Sequence, residues 1–221
     1  MFRKKTDENR EILLQSFYNL EDRLLQKLGP EANTVAFTSS TDDTNKTTSI
    51  VNMAYHLAED GDEILIIDAN LRYSELEDVI EDHLERGFVD VIFADYDIDS
   101  VLVTDSNHKS LNYMHSGNVS EYADKFLEPA VIRDFFADIS DSYDYVFIDL
   151  STNIDIAEAN MFAASADGCV VFTTSENANS SITLNSLKQL EKVNANILGL
   201  VIADYDYDES ELDDLFGGND E

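Results

Sequence analysis

Three short polar stretches carry side chains able to handle phosphate and a divalent cation. The first is Ser40-Thr41-Asp42-Asp43-Thr44-Asn45-Lys46-Thr47. Its layout follows the phosphate-binding pattern G-x-x-x-x-G-K-[ST], in which backbone N–H groups cradle the phosphates, a lysine reaches the outer oxygens and a hydroxyl meets Mg²⁺. Lys46 and Thr47 match that pattern, while Ser40 and Asn45 stand in its glycine positions. Asn is the side chain that best tolerates a left-handed backbone, so Asn45 is compatible with a formed loop. Asp42 and Asp43 repel phosphate unless they face water. The second stretch is Asp68-Ala69-Asn70-Leu71-Arg72, and the third is Asp149 followed by Leu150-Ser151-Thr152. Each opens with an acid that closes an apolar run, Ile64–Ile67 and Tyr145–Ile148. Alone, a Lys-Thr pair after a strand reads as a solvated helix cap. The two acid-terminated runs give it chemical weight.

These stretches need a scaffold that brings them to one edge. Leu13, Phe17, Leu20, Leu24 and Leu28 fall on one face of a helix expected from about Asp7 to Leu28, which Gly29-Pro30 stops. Strands are expected at Val35–Thr38, Ile64–Asp68, Leu111–Met114, Tyr145–Asp149, Cys169–Thr173 and Ile197–Ala203. Helices are expected at Thr47–Glu59, Ser74–Glu85, Glu121–Ile139 with a break at Pro129, Ala157–Ala166 and Ser181–Val193. This alternation predicts an α/β fold, a doubly wound and mostly parallel sheet with helices on both faces. Ligands bind beyond the carboxyl ends of such strands, where Lys46, Asp68 and Asp149 all fall. The expected organisation is an N-terminal helix over 1–30, an α/β domain over 31–204 and an acidic, disordered tail over 205–221. The acid run Glu75-Leu76-Glu77-Asp78 reads as a solvated helix face.

The chain has 221 residues, 43% of them hydrophobic, enough for one domain with a substantial core. No run is long and apolar enough to cross a membrane, and the basic start Met1-Phe2-Arg3-Lys4-Lys5 leads into polar residues. The expectation is a cytoplasmic protein without direct membrane insertion. The lone Cys169 sits in an apolar run and reads as a buried hydrophobe. The formal charge of −32 argues against nucleic acid; it reads first as a means of solubility or of life in a salty cytoplasm, and more sharply as a surface for a basic protein partner. His56, His83, His108 and His115 show no metal-ligand spacing, and no Ser-His-Asp set emerges from the order of the residues.

In order and spacing, the three stretches resemble the bacterial tyrosine kinases of capsule and exopolysaccharide synthesis, within the wider MinD/ParA-like P-loop ATPases. The resemblance runs from about Phe17 to Tyr205. It includes Gly87-Phe88-Val89-Asp90-Val91-Ile92 as a turn and helix, Ala166-Asp167-Gly168-Cys169-Val170-Val171, and Leu198-Gly199-Leu200-Val201-Ile202. It implies ATP and Mg²⁺ as cofactors. Ser40, Asn45, Lys46, Thr47, Thr48 and Arg72 then face the nucleotide. Thr47, Asp68 and Asp149 serve the metal, with Asp68 and Asp149 as the catalytic acids. Tyr205 and Tyr207 match the family's phospho-acceptor tail. The family's partner is the cytoplasmic tail of a membrane polysaccharide co-polymerase, which would bring the chain to the inner face of the membrane, and homo-oligomers occur. Departures gather at the same place. Asn70 replaces a second acid, Ser151 and Thr152 replace paired prolines, and Glu158 and Thr174 replace Asp and Arg. Ala203 replaces an adenine-reading Asn, and alanine offers no donor and acceptor pair. Gln15, Tyr18 and Glu21 replace the helix element that builds rings.

Three functions compete on this basis. One is a polysaccharide-biosynthesis regulator that keeps the kinase fold around a degenerate ATP site. The second is an active, autophosphorylating tyrosine kinase. The third is a MinD/ParA-type positioning ATPase, which calls for a lysine where Thr41 stands.

Overall fold

A computed structural model describes residues 2–42, 44–80, 85–122, 127–152 and 156–207. Strands β1 (Thr34–Ser39), β2 (Ile64–Asp68), β3 (Leu102–Thr104), β4 (Leu111–Met114), β5 (Tyr145–Asp149), β6 (Gly168–Thr173) and β7 (Ile197–Ile202) form one sheet. Their order is β3-β4-β2-β5-β1-β6-β7. All neighbours run parallel except β3 on β4. The expected doubly wound α/β architecture is therefore present. The register sets Asp68 and Phe37 opposite Asp149, so β2 and β5 end level while β1 runs on two residues to Ser39.

Alternate residues of the central strands feed two separate cores. Val35, Phe37, Ile64, Ile66 and Phe147 pack on one face, with α1 (Phe2–Leu28) and α2 (Lys46–Asp60). Ala36, Leu65, Ile67, Val146 and Ile148 pack on the other, with α4 (Phe88–Ala94), α5 (Pro129–Ser140) and α6 (Ala157–Ser165). Burial on both faces explains why β2 and β5 read as unbroken apolar runs. Cys169 lies inside, and burial pushes its thiol up to about 12.

On α1, Leu24 and Leu28 are buried, and Lys27 Nζ donates to the Leu198 carbonyl at 2.6 Å. Glu21 turns inward and meets His56 Nδ1 of α2 at 2.7 Å. With Asp60 one turn on, these ligand-type atoms gather within 4.8 Å, the one such group of His and acids among the described residues. Linear spacing cannot show a group divided between two helices.

Several expected bounds shift. The helix expected over Glu121–Ile139 begins instead at Pro129, whose fixed φ and missing N–H suit a first helical turn. Val119–Tyr122 upstream is a 3-10 turn. The helix expected from Ser74 starts at Leu76 as α3 (Leu76–Ile80), and residues 81–84 of its expected span lie outside the described residues. β3 was not legible, because three residues cannot display alternation. The last helix is α7 (Ser181–Lys192). The side chain of Leu13, together with Asp43, His83 and the tail from Asp208 on, lies outside the described residues.

Candidate functional site

β1 delivers the polar loop to the carboxyl edge of the sheet, and α2 leaves from it. Asn45, just before α2, has φ 49° and ψ 30°, the left-handed conformation that the pattern asks of its second glycine. Its side chain does not cap the helix. The first intrahelical bond is Ser49 N to Asn45 O, so the N–H groups of the first turn face out along the helix axis. Ser40, in the other glycine position, is fully buried. Its hydroxyl lies 2.9 Å from both Thr173 Oγ1 and Thr183 Oγ1, a hydroxyl knot between β1, β6 and α7. Side chains close the rest of the loop. Thr152 Oγ1 donates to Asp42 Oδ1 at 2.9 Å and lies 3.2 Å from Ser39 Oγ. That bond gives exposed Asp42 a partner away from the helix end.

Lys46 and Thr47 turn inward and are buried. The Lys46 ammonium pairs with Asp149 Oδ1. Thr47 Oγ1 lies 2.6 Å from Asp149 Oδ2. Burial lowers the Lys46 pKa to about 8, against the pull of Glu75 and Asp68. Asp68 is fully buried beside them. Its Oδ1 accepts the Asn70 N–H at 3.0 Å, while its Oδ2 is buried with no hydrogen-bond partner. Burial raises the Asp68 carboxyl to about 6.

One side chain here adds to the sequence reading: Glu75 is exposed, as expected, yet one of its oxygens reaches the loop. Glu75, expected on a solvated helix face, lies just before α3 with its Oε2 3.0 Å from Thr47 Oγ1. The path of the chain between β2 and α3 decides this, and periodicity carries no trace of it. Asn70, where the family pattern has an acid, spends its side chain on the turn. Its Oδ1 accepts from Arg72 N and Tyr73 N, both at 3.4 Å.

The residues present fit a magnesium-bound phosphate group. Thr47, Asp149 and the orphan oxygen of Asp68 are hard oxygen donors of the kind Mg²⁺ takes. Lys46 and the open first turn of α2 suit phosphate.

Other expected site residues stand apart. Thr48 is exposed on the first turn of α2. Arg72 is exposed, with Nη2 4.0 Å from Glu158 Oε2. It lines a cavity of about 590 Å³ with Leu71, Phe93, Tyr122 and Met161. Tyr205 and Tyr207 stack edge-on at 5.0 Å, and the Tyr207 hydroxyl lies 3.2 Å from Ser16 Oγ of α1. They border another cavity, of about 670 Å³, between α1 and β7, which Ala203 also lines.

A family model described as an AAA domain, AAA_31, matches residues 32–206. The chain is 24% identical to the tyrosine-protein kinase CpsD of Streptococcus pneumoniae, over 85% of this chain and 83% of that protein. It is also 24% identical to the succinoglycan biosynthesis transport protein ExoP of Rhizobium meliloti, over 92% of this chain but 26% of that longer protein. Among solved structures, the kinase domain of the Escherichia coli tyrosine kinase ETK superposes with a TM-score of 0.73 at 19% identity, covering 84% of this chain and 75% of that one. The septum site-determining protein MinD of Pyrococcus horikoshii, complexed with Mg-ADP, gives 0.67 at 18%, covering 83% and 77%. The loop after β1, the paired acids ending β2 and β5, and these matches together place the chain in the AAA_31 family of AAA domains, with the MinD/ParA-like P-loop fold shared by the bacterial tyrosine kinases.

Proposed function

We propose that this chain regulates capsular or exopolysaccharide biosynthesis through protein docking, on a tyrosine-kinase fold whose nucleotide site is impaired. The observation that carries this reading is the closed state of the loop. Lys46 is committed to Asp149 in a buried ion pair, Ser40 is tied down through its side chain where the pattern has glycine, and Thr152 holds Asp42. A phosphate must separate that pair before Lys46 can meet it, and removing one partner of a buried pair is costly. Ala203 adds nothing to hold a purine. Phosphoryl transfer depends on positioning and charge neutralisation, so such losses lower turnover before they abolish binding. The −32 charge suits the basic cytoplasmic tail of a membrane polysaccharide co-polymerase.

A second reading, an active autophosphorylating kinase, draws on left-handed Asn45 and the uncapped start of α2. Labelled ATP, Mg²⁺ and the co-polymerase tail separate the two. The expected result is tail binding that survives Lys46→Ala, with no label on tyrosine. Label on Tyr205 or Tyr207 that disappears in Lys46→Ala establishes the kinase instead.

A further inference from the structure

The Thr47 hydroxyl has one proton, yet two carboxylate oxygens close on it, Asp149 Oδ2 at 2.6 Å and Glu75 Oε2 at 3.0 Å. It can donate to only one of them at a time. Asp68 adds a third carboxylate with a buried, partnerless oxygen. Against these three acids stands one ammonium, Lys46. The cluster is therefore short of positive charge, and all its free donors are oxygen. That combination matches a hard divalent cation, which keeps part of its water shell and needs charge nearby as much as direct contacts. Asn70 cannot add charge, because its carboxamide is neutral and holds the turn into Arg72 and Tyr73.

We propose that Glu75 belongs to the outer shell of the divalent-cation site, since its oxygens do not gather with those of Asp149 and Asp68 within the 4.8 Å of a direct ligand group. From the start of α3, it supplies the negative charge that Asn70 lacks, and its contact with Thr47 positions the hydroxyl toward the ion. The inference rests on the reading of the loop as an impaired but surviving Mg-nucleotide site.

Mn²⁺ can stand in for Mg²⁺, with the loss of the free-ion electron paramagnetic resonance signal as the readout, with and without ADP. The variant is Glu75→Gln, whose amide oxygen can still accept from Thr47, so that charge alone changes. Glu59→Gln, on the exposed end of α2, controls for net charge. Outer-shell partners set metal affinity by about 10 to 100-fold, so Glu75→Gln is expected to weaken Mn²⁺ binding about tenfold while Glu59→Gln leaves it unchanged. Thermal melting of each variant checks that it is folded. Equal affinity in wild type and Glu75→Gln overturns the inference and leaves the nucleotide reading standing. Tighter ADP binding in Glu75→Gln also overturns it, by showing that Glu75 competes with phosphate. No Mn²⁺ binding by the wild type, even with ADP, overturns both.

Discussion

Asp68 and Asp90 are both fully buried and could hardly be treated more differently. Asp90, on α4, is saturated. It accepts from Arg86 Nη1 at 2.6 Å, Gly87 N at 2.8 Å, Tyr122 Oη at 3.1 Å and Asn118 N at 3.4 Å. Burial pulls its pKa up, but these donors outweigh burial and hold it below the usual carboxylate range. Asp68, at the end of β2, has the Asn70 N–H, a Ser74 hydroxyl and the charge of Lys46 to favour its ionised form, but one oxygen is orphaned and burial wins, lifting it to about 6. A carboxylate whose every lone pair is met maintains a turn. One left open at the carboxyl edge of a parallel sheet, beside a lysine and a second acid, is kept in readiness for something else. The contrast separates a structural acid from a candidate functional one without reference to any relative.

Removing Asp90 is expected to have the severest consequence. Asp90→Ala strands the buried Gly87 N–H and takes the shared acceptor from Arg86 and Tyr122, so about 3 kcal/mol of stability should be lost in urea unfolding. Gly117→Ala attacks the same acid from outside. Gly117 has φ +83°, and an added Cβ there collides with Asp90 Oδ2. It is expected to cost about 2 kcal/mol. If both variants are neutral, saturation is not what separates the two acids.

Asp68 should respond in the opposite direction. Its folded pKa lies above the unfolded value, so the folded state binds more protons between about pH 4 and pH 6. The sign follows. Its contribution is most favourable below the unfolded pKa and is lost as pH rises through the folded one, leaving a buried charge that destabilises at neutral pH. Asp68→Asn removes that charge. The variant is expected to be more stable than wild type by about 2 kcal/mol at pH 7.5, with the gap closing near pH 4. Unfolding midpoints of the two proteins across that range test it. A constant gap would show that the orphan oxygen, not the charge, is the source.

The same division governs what the sequence could reveal. Apolar runs closed by acids made β2 and β5 legible to the residue, because burial on both faces leaves no ambiguity of period. The placement of Asp68 and Asp149 at strand ends and of Lys46 and Thr47 at the start of α2 was legible from local order. Left-handed Asn45 followed from the side chain's own tolerance. Glu75 was not legible, since its place depends on how the chain turns after Asn70. Nor was the Ser40, Thr173 and Thr183 knot, which joins three elements distant in sequence. The Asp90 network escaped for the same reason, with donors drawn from Arg86 through Tyr122. Local chemistry survives a linear reading, whereas chemistry assembled from several loops does not.

The arginines beside the two acids differ in the same way. Arg86 sits on saturated Asp90, and its guanidinium also stands 5.1 Å over the Tyr96 ring. Among the described residues Arg72 pairs with Glu158 at 4.0 Å, with both side chains well exposed. An exposed ion pair at that distance gains little Coulomb energy in high dielectric and loses side-chain entropy in forming. Arg72→Ala is therefore expected to change stability by less than about 0.5 kcal/mol. Arg86→Ala should lower the unfolding midpoint clearly, because it takes the charged donor from a buried acid. Parallel melts of the two variants decide the matter. A large loss in Arg72→Ala would tie that arginine into the fold, and its exposure beside the loop after β2 would then no longer mark it as a residue kept free for a ligand.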